Sequence, residues 1–428
     1  MLNLSDKIVT IIGAQRSGLA IAKLVLRLGG RPQITEFAAK EILPKDNIQW
    51  IEENHIPFEC NGHTQAFLEG SSLVILSPGV SLNTMAVQWA REKNIPVLGE
   101  IEFANQFCDK PIIAVSGSNG KTTVVTLIDL VIKAAGKKSR LCGNVGLPFS
   151  NYALDLKGID YVVLEVSSFQ MESLLDHAQA SRVPEFKPFK PLIGVILNFS
   201  ENHLDRHKDL DEYFSAKTRM FINQTKNEFA VLNGHDERLL GLKNQLSSQV
   251  IYFDSQSGEN PNQRAVVHVA KILGIGEDVC ADVFKNFKGV EHRLEWVREL
   301  DGVEYINDSK ATTAEAGRWA LTRVQKPVVM ICGGRDKHID FSVLSDLVKK
   351  KVKKMIVFGE AKEKLKKTFE GVVEIEVADK LETAVQKARR SAHKGECVLL
   401  SPMCASFDMF ANYEERGKIF KSIVNGLN

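Results

Sequence analysis

The stretch Pro111-Ile112-Ile113-Ala114-Val115-Ser116-Gly117-Ser118-Asn119-Gly120-Lys121-Thr122-Thr123 decides the fold. A short β-branched run ends in a glycine turn carrying a lysine and two hydroxyls, and an apolar helix is predicted to begin near Val124. Glycines let backbone N–H groups converge on phosphate oxygens, and a helix N-terminus adds the positive end of its dipole. Lys121 is then expected to reach the outer phosphates of a nucleoside triphosphate, and the Thr122 hydroxyl to ligate Mg²⁺. The full motif has a further glycine five positions before Gly120, where this chain has Val115, so the match is to a shortened variant, G-S-N-G-K-T. The alternative is an ordinary strand–turn–helix junction with an incidental lysine.

Working outward, the pattern of lysine, short β run and glycine turn occurs three times, at Lys7 to Gly13, Lys110 to Gly117 and Lys326 to Gly334. Buried parallel strands read as continuous Val/Ile runs of this kind, each here followed by helical periodicity. Three α/β units with parallel sheets are therefore predicted, in keeping with a prior of about 150 residues per domain. The seams fall near Gly99-Glu100 and Gly289-Val290, giving domains 1–99, 100–289 and 290–428. Hydrophobic content of 44%, charged content of 25% and a net charge of +2 are those of a globular chain without the basic excess of a nucleic-acid binder. The lysine-rich tract from Val348 to Lys367 alternates with apolar residues and reads as solvated helix faces around a strand. Seven cysteines lack metal-ligand spacing and any C-x-x-C pair, so they are expected to be reduced and mostly buried. With no signal peptide and no membrane-length apolar run, a cytoplasmic location without membrane insertion is expected.

In the first unit, Gly13-Ala14-Gln15-Arg16-Ser17-Gly18 leads into a helix predicted over Leu19 to Leu28, then a strand ending at Thr35-Glu36. This resembles a dinucleotide-binding turn with an acidic residue about twenty positions on. Gln15 replaces the middle glycine that lets backbone approach a pyrophosphate, so another nucleotide or a sugar diphosphate is favoured over NAD, with plain structural use as the alternative. Ser77-Pro78-Gly79 is placed to line the same crevice. In the second unit, Tyr161 to Ser168 reads as a buried strand with a carboxylate at its carboxyl end. A lone Glu there is costly unless paired or metal-bound, which makes Glu165 a candidate Mg²⁺ ligand, with a buried salt bridge as the alternative. The strand Ile193 to Leu197 runs into a loop that brings His203 within reach of that metal, whereas His207 has no such support. Lys217 shares an otherwise apolar helical face with Phe214 and Phe221 and, taken alone, reads as a snorkelling lysine. The loop 183–192 carries no chemical signal. In the third unit the strand-end loops hold Lys337 for a carboxylate and Ser406 and Thr312 as hydroxyl donors, a composition suited to a small polar acid.

Together G-S-N-G-K-T-T, V-L-E-V-S-S-F, N-x-x-x-x-H-L-D-R-H, E-H-R-L-E, N-D-S-K-A-T-T and L-S-P-x-C-A-S-F-D-x-F resemble the motifs of the Mur ligase family, the ATP-dependent amide-forming enzymes of peptidoglycan synthesis. The resemblance covers essentially the whole chain. It implies a Rossmann-like UDP-binding domain, a central P-loop ATPase-like parallel-sheet domain and a C-terminal Rossmann-like domain. G-A-Q-R-S-G together with D-S-K-A-T and S-P-M-C-A-S-F-D-M-F points within the family to addition of D-glutamate to UDP-N-acetylmuramoyl-L-alanine through an acyl phosphate, by a monomeric enzyme. By the match, Gly117, Ser118, Asn119, Gly120, Lys121, Thr122 and Thr123 hold the phosphates, and Arg293 and Asp308 close on ATP from the third domain. Thr122, Glu165, His203 and Lys217 serve Mg²⁺, the lysine as its CO₂ adduct, a carbamate. Lys310 lies beside the reacting centre, and Lys121, His203 and Lys217 complete the catalytic set. Gly13, Gln15, Arg16, Ser17, Glu36 and Gly79 line the UDP site, and Asn144 contacts the muramoyl substrate. Thr312, Lys337, Ser406 and Tyr413 hold D-glutamate. The family pattern H-N-x-x-N, whose asparagines contact adenine, is replaced by Glu259-Asn260-Pro261-Asn262-Gln263-Arg264, which assigns no adenine contact.

Two other readings compete. A folylpolyglutamate-type ligase shares the ATP loop and the carbamate lysine but has no UDP-binding domain, so residues 1–99 argue against it. A nucleotide-hydrolysing switch would leave the acid-gripping residues of the third unit unexplained.

Overall fold

The computed structural model describes residues 2–176, 186–199, 209–254, 260–336 and 339–428. Each β-branched run forms a strand, and the strands gather into three sheets. The first holds β1 (Ile8–Ile12), β2 (Arg31–Thr35), β3 (Phe58–Glu59), β4 (Leu73–Leu76) and β5 (Val97–Gly99), ordered β3-β2-β1-β4-β5 and parallel throughout. The second holds β6 (Ile112–Ser116), β7 (Ser139–Gly143), β8 (Tyr161–Glu165), β9 (Ile193–Ile196), β10 (Phe229–Asn233) and β11 (Gln249–Phe253), ordered β11-β10-β9-β6-β8-β7, again all parallel. In both, the first strand is flanked on each side by later ones, which opens a crevice at its carboxyl end.

The third sheet holds β12 (Glu295–Leu300), β13 (Val303–Asn307), β14 (Val328–Gly333), β15 (Val352–Phe358), β16 (Glu374–Val377) and β17 (Cys397–Leu400), ordered β12-β13-β17-β14-β15-β16. It is not purely parallel: β12 pairs antiparallel with β13 across the turn at Asp301-Gly302. The half-exposed alternation of Glu295 to Leu300 fits an edge strand with one wet face, unlike the buried runs of the central strands.

The chain forms two compact units, Met1–Phe287 and Lys288–Asn428. In the first, one hydrophobic core runs from Leu4 and Ile11 through Phe103 and Phe149 to Leu232, spanning the first two sheets. The helix Glu100–Asn105, which joins those sheets, has every residue buried. Its two carboxyl groups accept backbone N–H groups: Glu100 from Ser150 (2.7 Å), and Glu102 from Leu175 (2.8 Å) and Phe189 (3.1 Å). Burial raises the pKa of both, that of Glu102 to about 8.

Several predicted boundaries move. The helix after the phosphate turn is Lys121–Ala134, starting at the lysine, and the first helix is Arg16–Arg27. Val166, Ser167 and Ser168 leave the predicted strand, which ends at Glu165: Ser167 caps the helix Ser168–Glu172 through a reciprocal pair with Gln170. The lysine-rich tract is the helix Ser345–Lys351, then β15, then the helix Lys362–Phe369, with Val348, Leu365 and Phe369 buried. All seven cysteines are free thiols and all but Cys60 are buried. Among the described residues no helix is long and apolar enough to cross a membrane.

Candidate active site

The phosphate turn leaves β6 at Ser116. Gly117 (φ 152°) and Gly120 (φ 84°) adopt backbone conformations that favour glycine, and Gly120 caps the helix Lys121–Ala134. A Cβ on Gly120 would lie 2.6 Å from Oδ1 of Asn262, at the start of the helix Pro261–Ile272. Gly120→Ala is therefore expected to destabilise by about 1–3 kcal/mol through strain and displacement of Asn262, and to raise KM for ATP. Thermal denaturation alongside an ATP titration checks this.

Ser118 N–H donates to the Asn198 carbonyl (3.1 Å), and Asn119 exchanges hydrogen bonds with the Asn198 side chain (2.9 and 3.1 Å). Lys121 Nζ donates to the Gly117 (2.7 Å) and Ser118 (3.0 Å) carbonyls. Lys217, on the helix Leu210–Thr218, donates to that same Gly117 carbonyl (3.1 Å). It is 2% exposed, so it does not snorkel, and the ring beside its Nζ is Tyr213, 4.6 Å away, rather than Phe214 or Phe221. Phe221 lies beyond that helix, in the 3₁₀ turn Arg219–Phe221. Burial first, and the Lys121 charge second, lower the Lys217 pKa to about 6.

Glu165 ends β8 and is 1% exposed. Its Oε1 accepts from Asn144 Nδ2 (2.7 Å), and the Asn144 backbone N–H donates to the Glu165 carbonyl (2.9 Å). Oε2 is buried and has no hydrogen-bond partner among the described residues. An unsatisfied buried carboxylate oxygen is expensive, and a hard cation is the ligand that removes the cost. Thr122, buried in the first turn after the phosphate loop, offers a hydroxyl of matching chemistry. The salt-bridge alternative for Glu165 finds no cation within ion-pair distance among the described residues. His203, His207, Lys337 and Glu259 lie outside the described residues.

At the carboxyl ends of β1, β2 and β4 the first unit has a pocket of about 900 Å³, lined by Gly13, Gln15, Arg16, Ser17, Glu36 and Gly79 among others. Gly13 (φ 106°) and Gly18 make the turn possible, since a Cβ on Gly18 would meet the Gly13 carbonyl oxygen at 1.9 Å. The Glu36 carboxylate accepts the N–H groups of Ala14 (2.8 Å) and Ala38 (3.0 Å), so it holds the turn in shape. Sequence reasoning missed the apolar wall: Phe37, His63, Met85 and Trp89 also line the pocket. Phe37 sits 6.0 Å from His63, whose Nδ1 is 2.8 Å from Thr35 Oγ1. An aromatic one position past the acidic residue was the available signal.

In the second compact unit, Asp308 follows β13 and is buried, accepting from Leu294 N–H (3.2 Å) and Ser401 Oγ (3.1 Å). Burial pushes its pKa up to about 7. Lys310 Nζ stands 5.4 Å from the Tyr413 ring, at the start of the helix Tyr413–Asn425. Ser406 is buried in the loop after β17, Thr312 is half-buried, and Arg293 is exposed. Gly333 and Gly334 bring the loop after β14 against the loop after β17, where Arg335 N–H donates to the Ala405 carbonyl (2.9 Å). The buried Arg416 guanidinium was also missed. It donates to Ser309 Oγ (3.0 Å), the Ser309 carbonyl (2.8 Å) and the Cys404 carbonyl (3.2 Å), joining the loops that carry Lys310 and Ser406.

Comparison with known proteins finds a family match over each of the three sheets. Residues 7–99 match the Mur ligase MurD-like N-terminal domain, 115–276 the Mur ligase middle domain, and 292–404 the glutamate ligase domain of Mur ligases. A UDP-N-acetylmuramoylalanine--D-glutamate ligase of a Thermoanaerobacter species is 37% identical, with 99% of each chain covered. The protein of that name from Caldanaerobacter subterraneus is 35% identical over the whole of both chains. Among solved structures, the Thermotoga maritima UDP-N-acetylmuramate-alanine ligase matches with a TM-score of 0.57 at 17% identity, covering 98% of this chain and 99% of that one. Escherichia coli FolC, in complex with DHPP and ADP, matches with a TM-score of 0.55 at 14% identity, over 76% of this chain and 92% of its own. Three α/β domains, a phosphate turn beside an open buried carboxylate, and full-length relatives above 30% identity lead to one conclusion: the chain belongs to the Mur ligase family.

Proposed function

We propose that this chain is the cytoplasmic ligase that adds D-glutamate to UDP-N-acetylmuramoyl-L-alanine at the cost of ATP, with domains 1–99, 100–289 and 290–428 and acting as a monomer. The observation that carries the reading is the meeting of Lys121, Lys217 and the glycine turn at one carbonyl in a chain whose full-length relatives bear that name. The substrate carboxylate attacks the γ-phosphorus of ATP and ADP leaves. The D-glutamate amine then attacks the acyl phosphate carbon, and phosphate leaves. Such a reaction is catalysed by positioning and charge neutralisation.

In this reading the glycine turn from Gly117 to Thr123 and Lys121 hold the phosphates, joined by Arg293 and Asp308. Lys310 sits beside the reacting carbonyl. The pocket at Gly13, Gln15, Arg16, Ser17, Glu36 and Gly79 takes the UDP end, and Asn144 the muramoyl end. The unsatisfied oxygen of Glu165 and the Thr122 hydroxyl fit Mg²⁺, with His203 and the Lys217 carbamate completing the set. When bound, the ion neutralises phosphate charge. Thr312, Lys337, Ser406 and Tyr413 grip D-glutamate.

Phosphate release from ATP, measured with the UDP-linked acceptor and D-glutamate together and singly, tests the function. Release that needs both supports it. Release with neither marks a hydrolysing switch, and release with a folate and L-glutamate marks the folylpolyglutamate-type reaction. Ser406→Ala is expected to raise KM for D-glutamate alone, by the roughly 1.5–3 kcal/mol of a charge-assisted contact, about ten- to hundredfold. A rise in KM for ATP instead would move Ser406 out of this pocket.

A further inference from the structure

We propose that Glu295, held in place by Lys421, is a positioning residue that fixes the backbone carrying Arg293, Asp308 and Lys310; the proposal rests on the roles given to those three residues above. Glu295 is the last residue of E-H-R-L-E and the first of β12. Its Oε2 accepts from His292 N–H (2.9 Å) and from Asn307 Nδ2 (2.9 Å). Its Oε1 accepts from Lys421 Nζ (2.9 Å), which also donates to Glu291 Oε1 (2.6 Å). One carboxylate therefore ties the segment before β12 to the end of β13 and to the last helix.

What it ties is the backbone beside the reactive residues. The His292 carbonyl accepts from Lys310 N–H (3.1 Å), Asn307 Oδ1 accepts from Ser309 N–H (3.2 Å), and Leu294 N–H donates to Asp308 Oδ1 (3.2 Å). His292 (φ 64°) and Leu294 (φ 41°) both hold left-handed conformations, one on each side of Arg293. Such residues keep that shape only where their surroundings over-determine it, and the Glu295 bond to His292 N–H is one such constraint. The imidazole is another. It is 3% exposed, and Asn307 Nδ2 lies 2.9 Å from its Nδ1. A Cβ on Gly417 would lie 2.2 Å from Nδ1, so the last helix approaches it through a glycine.

Glu291, His292 and Glu295 place their ligand atoms near enough together to hold a metal ion. The Lys421 ammonium already stands between the two carboxylates, so the cluster carries its own cation and serves shape rather than metal binding.

The test uses the full-length enzyme and the complete reaction. Glu295→Gln keeps the volume but turns an N–H₂ toward Lys421 or toward the donors at Oε2. It is expected to lower kcat by about 10–100-fold, by analogy with loss of the outer-shell partners that orient metal-ligating side chains, with KM for the UDP-linked acceptor unchanged. Lys421→Met should lose less, Lys421→Arg should restore activity, and the double variant should be no worse than Glu295→Gln alone. Glu304→Gln breaks a comparable pair, Glu304–Lys326 (3.0 Å), on the other side of β13 and is the control for a merely structural effect. The proposal is overturned if Glu295→Gln keeps kcat within about twofold of the parent, or if Glu304→Gln loses as much at the same Tm. A parent enzyme that forms no D-glutamyl amide would overturn the functional reading itself, and this proposal with it.

Discussion

Lys217→Ala is expected to cut turnover by about 10²–10³-fold or more, on the scale of losing a preorganised electrostatic contact at the reacting centre, while the fold survives. An ammonium beside a metal-bound triphosphate would be repelled by the cation it is meant to serve. The neutral amine escapes that conflict. In the proposed carbamate it would attack CO₂, forming an N–C bond and losing a proton, to give an anionic oxygen ligand suited to Mg²⁺. The lowered pKa of about 6 leaves the buried amine largely neutral at pH 7. The unfolded chain holds that proton up to about the ordinary 10.5, so between these values it binds more protons than the folded one, and stability rises with pH across this window. As pH falls through about 6 the amine recharges and CO₂ capture fails, so kcat at fixed bicarbonate should drop on that side. Acetate should restore part of the activity of Lys217→Ala by supplying the missing carboxylate. A variant that keeps most of its turnover would show the lysine to be structural.

Lys121→Met is expected to lower kcat/KM by a similar ~10²–10³-fold, through loss of charge against the outer phosphates. In the structure the Lys121 ammonium donates to two carbonyls of its own turn, the turn that would hold the phosphates in the proposed reading. The same charge also helps to depress the Lys217 pKa, being the second cause after burial. Its removal should therefore move the acid limb of the pH profile upward. Because both lysines donate to the Gly117 carbonyl, the double variant Lys121→Met/Lys217→Ala should lose less than the sum of the single losses. Strict additivity, with no shift of the acid limb, would show the two lysines to be independent.

The parts legible in sequence were those whose chemistry is local. A glycine turn with a lysine after a β-branched run marks a strand–turn–helix junction within thirteen residues, and the runs at Ile8, Ile112 and Val328 announced the three sheets. Glu165 was legible because a carboxylate inside an apolar strand has few excuses. What stayed hidden depends on partners far away in the chain. Lys217 looked like a surface lysine because the carbonyl and the ring that surround it, Gly117 and Tyr213, come from different elements. The antiparallel edge strand β12 is written in half-exposed alternation and lacks the continuous Val/Ile run that marks a buried parallel strand. Arg416 lies outside every motif, and Glu295 closes E-H-R-L-E without its partners in view, since a buried arginine on carbonyls and a glutamate at the start of a strand differ from surface residues only once packed.

The core shared by the first two sheets has a consequence for how the molecule can be taken apart. Residues up to Gly99 look like a detachable module, yet the helix that follows buries Ile101, Phe103 and Ala104 in a cluster that also holds Leu4, Val25 and Phe149. Trimming the chain at that seam would leave greasy surface on both fragments, even though Glu100 and Glu102 would keep their amide partners Ser150, Leu175 and Phe189 on the second one. Heating should accordingly melt residues 1–287 in one cooperative step, so the uridine end and the phosphate turn would be lost together rather than in succession.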